Sequence, residues 1–262
     1  MTGVPSTQEE EPPFVGIVQE ALGRFSDVPQ ALLASRALLR RVDRKYTLAA
    51  RRVEPILASL GNAYGVLRAG STLAARYRTI YFDTPELDLY HAHRRGRTER
   101  YKVRVRHHID REMSFVEVKH RNAVGRSSKA VLPRPFGTST LDDEALMFID
   151  RHCPVSAGAL VPQVWIAFRR ITLVGYELDE RITIDCNFEY GDGCKSERWP
   201  FAAIAEIKQG RRINSTPSIR ALRSIGVIER AISKYCVATT RLTAAPGNVF
   251  KPALRALEQA SR

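Results

Sequence analysis

The run Tyr101-Lys102-Val103-Arg104-Val105-Arg106 alternates apolar and basic residues with a period of two. In a β-strand this spacing sends Lys102, Arg104 and Arg106 to one face and Tyr101, Val103 and Val105 to the other. Three cations on one face cannot be packed dry, because each unpaired buried charge is costly to desolvate. The basic face must therefore look onto water, carboxylates or a polyanion. Other stretches repeat the pattern: Arg41, Asp43 and Lys45 share a period-two face, as do Glu117 with Lys119 and Glu206 with Lys208, while Arg170 and Arg181 punctuate the strands between. A solvated outer face accounts for any one of these strands. It accounts less well for the set, because solvated faces mix Thr, Ser, Gln, Lys and Glu and are not dominated by Arg.

Turned inward, these faces would line a cationic lumen holding a few carboxylates. Arginine forks grip phosphate oxygens in bidentate fashion, lysines act as point charges, and carboxylates hold a divalent metal that bridges phosphoryl oxygens. A chain of phosphates is the natural tenant of such a lumen.

The rest of the chain must position these faces. Its 262 residues, 44% hydrophobic, suffice for one large domain, and a net charge of +13 favours an anionic partner. Three glutamates, Glu9 to Glu11, stand where a secretory signal would be basic and then apolar, and no apolar run approaches the ~20 residues that span a bilayer. A cytoplasmic, soluble protein is the expectation. The four cysteines form no C-x-x-C pair and the six histidines show no metal-ligand spacing, so both are read as structural. Residues 1–13 read as a disordered leader, 14–243 as one domain, and 244–262 as a tail with a short helix.

Periodicity and turn signals predict strands at 37–48, 64–67, 74–82, 98–108, 113–121, 161–174, 180–190 and 201–209. Helices are expected at 49–60, from Pro85 to about Arg95, and at 141–152, 218–224 and 229–235. Asp83 or Thr84 would cap the second of these. Eight mostly sequence-adjacent antiparallel strands with a few helices make an α+β protein, and closure into an eight-stranded barrel would remove exposed edges.

Thr79–Tyr90 (TIYFDTPELDLY), Tyr101–Arg106, Phe115–Lys119 and Ile232–Cys236 (ISKYC) together resemble the VTC domain, the polyphosphate polymerase module of the vacuolar transporter chaperone complex, within the triphosphate tunnel metalloenzyme (CYTH-like) superfamily. The resemblance runs from about Leu38 to Val237. It implies an eight-stranded antiparallel tunnel that transfers the γ-phosphoryl group of ATP to a growing polyphosphate chain with a divalent cation, Mn²⁺ or Mg²⁺. Carried over by motif, the catalytic set is Arg104, Arg106, Lys119, Arg170, Arg181 and Lys234. Lys45, Lys129, Lys208 and Ser233 would bind phosphate, and Glu206 and Glu117 would serve the metal. Phe168 stands where the family has a tyrosine before Arg170, and Asp43 replaces a glutamate common on the first strand.

The implied partners are ATP and inorganic polyphosphate; export of the polymer would require a separate membrane protein. Three other functions compete. A triphosphatase would use water in the same lumen, and a polyphosphate-binding protein would lack catalysis. A nucleic-acid module fits the charge, but no RNP-like or helix-turn-helix pattern appears, and the aromatics read as alternating away from the basic faces.

Overall fold

The computed structural model describes residues 13–35 and 42–261. The leader through residue 12, Arg40-Arg41 and the start of the strand expected from residue 37 lie outside the described residues. In chain order the elements are α1 (Pro13–Leu22), α2 (Gln30–Ser35), β1 (Val42–Ala49), α3 (Val53–Leu60), β2 (Tyr64–Val66), β3 (Ala74–Asp83), α4 (Asp88–Arg94), β4 (Arg100–His108), β5 (Met113–Arg121), β6 (Ser127–Arg134), α5 (Asp143–His152), β7 (Val161–Gly175), β8 (Glu180–Gly191), β9 (Ser196–Gln209), α6 (Pro217–Ser224), α7 (Lys234–Leu242) and α8 (Lys251–Ala260).

All strands join one antiparallel sheet in the order β1-β9-β8-β7-β3-β4-β5-β6, with β2 paired to β7. The α+β class holds, and two details of the expectation are corrected. There are nine strands among the described residues, not eight, and the sheet is not closed: β1 and β6 end the path. The added strand is β6. Its sequence, SSKAVLPR, lacks aromatics and contains Pro133, which has no N–H for a ladder and is tolerated at an edge.

Three apolar clusters build the body. On the outer face, Tyr46, Leu48, Ile171, Leu173, Ile182, Ile184 and Ile207 pack against α1, α3 and α6. Val103, Val105, Val116 and Val118 pack under α5. On the inner face, Tyr81, Ile166, Phe168, Phe188 and Ile204 pack against α7 and α8. One end of the inner face is therefore plugged by helices, and its charged end is left as the lumen. A bulge at Asn187, whose φ is 51°, shifts the two-residue alternation of β8 by one position, so that Cys186 joins the outer cluster and Phe188 the inner one.

Helix starts differ from the sequence expectation. Leu87 adopts φ 62°, and α4 begins at Asp88 rather than Pro85. The carboxylate of the fully buried Asp83 nevertheless accepts from the backbone N–H groups of Thr84, Leu89 and Tyr90, each at 2.8 Å, and from the Tyr235 hydroxyl. This one carboxylate ties β3, α4 and α7 together. The last helix of the body begins at Lys234, not Glu229, because Ser233 supplies its cap by accepting from Cys236 N–H. Asp83→Ala would strand several buried donors, at about 1–3 kcal/mol each. At about 2–4 °C per kcal/mol, a melting temperature lower by about 10 °C is expected by calorimetry, with Asp83→Asn losing less.

Candidate functional site: a basic, carboxylate-braced lumen

Strand pairing brings the alternating faces into register. Lys102 stands opposite Lys119, which stands opposite Lys129; Arg104 stands opposite Tyr81 on one side and Glu117 on the other. Across the sheet, Lys45 stands opposite Glu206, and Asp43 opposite Lys208, itself opposite Arg181. Among the described residues, ten cations (Lys45, Lys102, Arg104, Arg106, Lys119, Lys129, Arg170, Arg181, Lys208 and Lys234) thus line the lumen and its rim with four carboxylates, Asp43, Glu117, Asp185 and Glu206.

Two carboxylates brace most of the guanidinium groups. Glu117 accepts from Arg104 Nε at 2.6 Å and from Lys129 Nζ at 2.7 Å, with Arg106 Nη1 at 3.9 Å. Asp185 accepts from Arg170 Nε and Nη2 at 2.5 and 2.7 Å and also pairs with Lys234 at the start of α7. Burial alone would raise both acids, yet the surrounding cations hold each well below the usual carboxylate range. Glu206 is likewise held low, against burial, by Lys45 and Lys208; Lys208 Nζ lies 2.5 Å away and Lys45 Nζ 3.6 Å. Lys45 also donates to the Ile232 carbonyl at 3.1 Å.

An aromatic floor lies among these cations. Tyr77 and Phe168 stack at 5.4 Å and 4°. Arg170 lies 5.3 and 5.2 Å from their centroids, Arg106 lies 5.8 and 6.0 Å away, and Lys234 is 4.9 Å from Phe168. Tyr81 accepts from Arg104 Nη1 at 3.3 Å. Burial would raise this phenol, but Arg104, Arg106, Lys234 and Lys102 together bring it down to about 8. The expectation that aromatics turn away from the basic faces therefore holds for Tyr101 and fails for Tyr77, Tyr81 and Phe168. Tyr81 and Phe168 are buried and Tyr77 half-buried beneath the cations, so the rings offer no open stacking platform.

Lys102 and Lys119 make no ion pair or hydrogen bond among the described residues. Burial, then the neighbouring Lys45 and Lys102, pulls the Lys119 ammonium down to about 7; burial also lowers Lys102. The unfolded chain, with Lys119 near 10.5, binds more protons between pH 7 and 10.5, so this group makes folding more favourable as pH rises through that window. A bound polyanion acts in the opposite sense by raising the folded value. Tripolyphosphate affinity should therefore fall as pH rises above 7, by up to about tenfold per unit. Titration calorimetry of the native protein beside Lys119→Arg checks this, because the arginine form should lack that component of the slope.

The structure gathers Lys45, Arg104, Arg106, Glu117, Lys119, Lys129, Arg170, Glu206, Lys208 and Lys234 in one lumen. Arg181 stands at its rim, where Nη2 lies 3.5 Å from the Leu33 carbonyl, and the Ser233 hydroxyl is the α7 cap. Asp185, Tyr77 and Tyr81 complete the lumen and were not among the sequence candidates. For Asp185 the available signal was its two-residue alternation with Arg181 and Thr183.

An antiparallel sheet with helices packed against one end of its inner face is a fold that solved structures share. A candidate adenylate cyclase from Bacillus halodurans is similar with a TM-score of 0.50 and 12% identity, over 78% of this chain and 98% of its own. A Hippeastrum protein, a candidate adenylyl cyclase described as having a dominant triphosphatase activity, aligns with a TM-score of 0.44 and 11% identity, over 77% and 97%. The VTC domain model matches residues 40–136, from β1 to just past β6, so the resemblance read from the motifs is borne out over that span. No curated protein sequence matches the chain. No helix among the described residues is long and apolar enough to cross a membrane.

Proposed function

We propose that the lumen binds a linear phosphate chain and catalyses metal-dependent phosphoryl transfer from ATP to the end of inorganic polyphosphate. The observation that carries this reading is the excess, among the described residues, of ten lumen cations over four carboxylates, with Lys102 and Lys119 directly opposed and neither one in a hydrogen bond or ion pair there. Like charges in that register destabilise an empty site and are relieved by a shared polyanion. A closed nucleic-acid interface is disfavoured because the rings lie under the cations.

The donor set fits a divalent ion of the magnesium or manganese type. Among the described residues no three His, Cys, Asp or Glu side chains cluster. Such an ion is commonly held by one or two carboxylates with substrate phosphates completing its shell. Glu206, with Asp43 diagonal to it across β1 and β9, supplies that number. Glu117 does not suit the role, because both its oxygens are engaged by Arg104 and Lys129; its part is to hold the arginines. When bound, the ion would neutralise charge on the phosphoryl oxygens.

The chain's own residues do the rest. Arg104, Arg106 and Arg170, braced by Glu117 and Asp185 and backed by the aromatic floor, keep fixed forks pointed at the transferring phosphoryl group and neutralise developing charge. Lys234 and Lys208 add point charges, and Lys45, Lys102, Lys119 and Lys129 hold the acceptor chain. The terminal phosphate of that chain is the nucleophile, so no serine or cysteine attacker is required.

A triphosphatase is the second reading, and one observation favours it: an amine near pH 7 at Lys119 could take a proton from attacking water. The test is purified protein with ATP and Mn²⁺, resolved on a polyphosphate-staining gel with phosphate release measured in parallel. Long polymer supports the polymerase. Free phosphate without polymer replaces it with the triphosphatase, and tight tripolyphosphate binding without turnover leaves a binding protein.

A further inference from the structure

Outside the lumen, a concave cleft of about 560 Å³ opens beside β3 and β7, lined by Arg68, Ser71, Thr72, Arg76, Asp110 and Arg169 among others. It is a separate surface: Arg169 directly precedes Arg170, so the two point to opposite faces of β7. Arg76 and Arg169 stand directly opposite each other in the β3/β7 register.

Two of these arginines are held in fixed geometry. Arg68 donates from Nε and Nη2 to Asp27 at 3.1 and 3.2 Å, and Arg111 Nη2 reaches the Arg68 carbonyl at 2.9 Å. Arg76 donates from Nε to Asp110 at 2.7 Å, with Nη2 also at 2.7 Å, and the Asp110 side chain is only 11% exposed. In both arginines Nη1 makes no hydrogen bond among the described residues. A guanidinium fixed by a carboxylate on one edge, with the other edge unused, has already lost the rotamer freedom that binding would otherwise take from it. The lining brings together Arg68, Arg76 and Arg169 with Asp110 and the Ser71 hydroxyl, and Asp27 pairs with Arg68 beside them.

We infer that this cleft is a second anion site, which takes an inorganic oligophosphate independently of the lumen. Its volume exceeds what a single small anion fills, and repeated phosphate oxygens match guanidinium edges presented from several elements.

Titration calorimetry of the full chain with inorganic tripolyphosphate at low ionic strength tests this. Native protein should show a second, weaker binding event beside the lumen event. R68A/R76A should weaken the second event by about tenfold or more, the scale of hydrogen bonds to a charged group, and spare the first. Arg104→Ala with Arg170→Ala should do the reverse, so loss of the lumen reading and loss of this one are separately visible. R68K/R76K, which keeps charge without the fork, should be intermediate, and unchanged circular dichroism establishes folding. A single event in native protein would overturn the inference. So would a second event weakened equally by a control pair, Arg94→Ala with Arg95→Ala, which would mark it as diffuse surface charge.

Discussion

Glu206→Gln is expected to reduce metal-dependent phosphoryl transfer to background while leaving metal-free tripolyphosphate binding intact or tighter. The substitution keeps the volume and removes one negative charge from a site where Lys45 and Lys208 already converge. Cation excess in the lumen rises, so a polyanion should be held at least as well; what disappears is the carboxylate best placed to share a divalent ion with substrate phosphates. A loss of about 10³-fold or more in kcat, with Kd for tripolyphosphate unchanged or lower, is the expected pair of results. Retained Mn²⁺-dependent turnover would remove Glu206 from the metal site.

The second large effect is expected at Arg104. Arg104→Ala removes a guanidinium that touches Glu117 and Tyr81 at once, and leaves Glu117 with Lys129 and the more distant Arg106. A fixed donor aimed at a transferring group is worth about 10²–10³ in rate, and the loss should fall on kcat more than on KM. The Tyr81 phenol supplies an independent reporter. Arg104 is the largest of the cations drawing it down to about 8, so its titration, followed by ultraviolet difference absorption, should move upward in the variant. Glu117→Gln should produce a smaller kcat loss, because it frees Arg104 without deleting it. Equal losses in the two variants would contradict a purely bracing role for Glu117; if Arg104→Ala retained full activity, this arginine would have no part in transfer.

Much of this site is legible in the sequence. Alternation over Lys102–Arg106, Glu117–Lys119 and Glu206–Lys208 is a property of the extended backbone, and each run does present its charges to one face. The strands 113–121 and 180–190 and the helix near 141–152 followed from the same local periodicities and end signals. Other features were out of reach for definable reasons. β6 has weak strand propensity and exists because β5 offers it an unpaired edge. The N-terminus of α4 lies beyond local signals: Pro85 and Asp83 read as capping residues, whereas Leu87 turns left-handed and Asp83 reaches forward six and seven residues.

What the sequence determined by itself is therefore which side chains share a face, since that depends only on the two-residue repeat of a strand. Which faces meet was decided by the tertiary structure. Asp185 binds Arg170, 15 residues away, and Lys234, 49 residues away, only because β7, β8 and the start of α7 converge. The Lys119 ammonium is pulled down to about 7 because the folded sheet buries it and brings Lys45 and Lys102 against it from other strands. Tyr77 and Phe168 lie beneath arginines because β3 and β7 pair in that register. Charge–charge energies fall off with separation in space rather than along the chain, so a list of basic strands became one carboxylate-braced basic lumen only when the sheet brought their faces together.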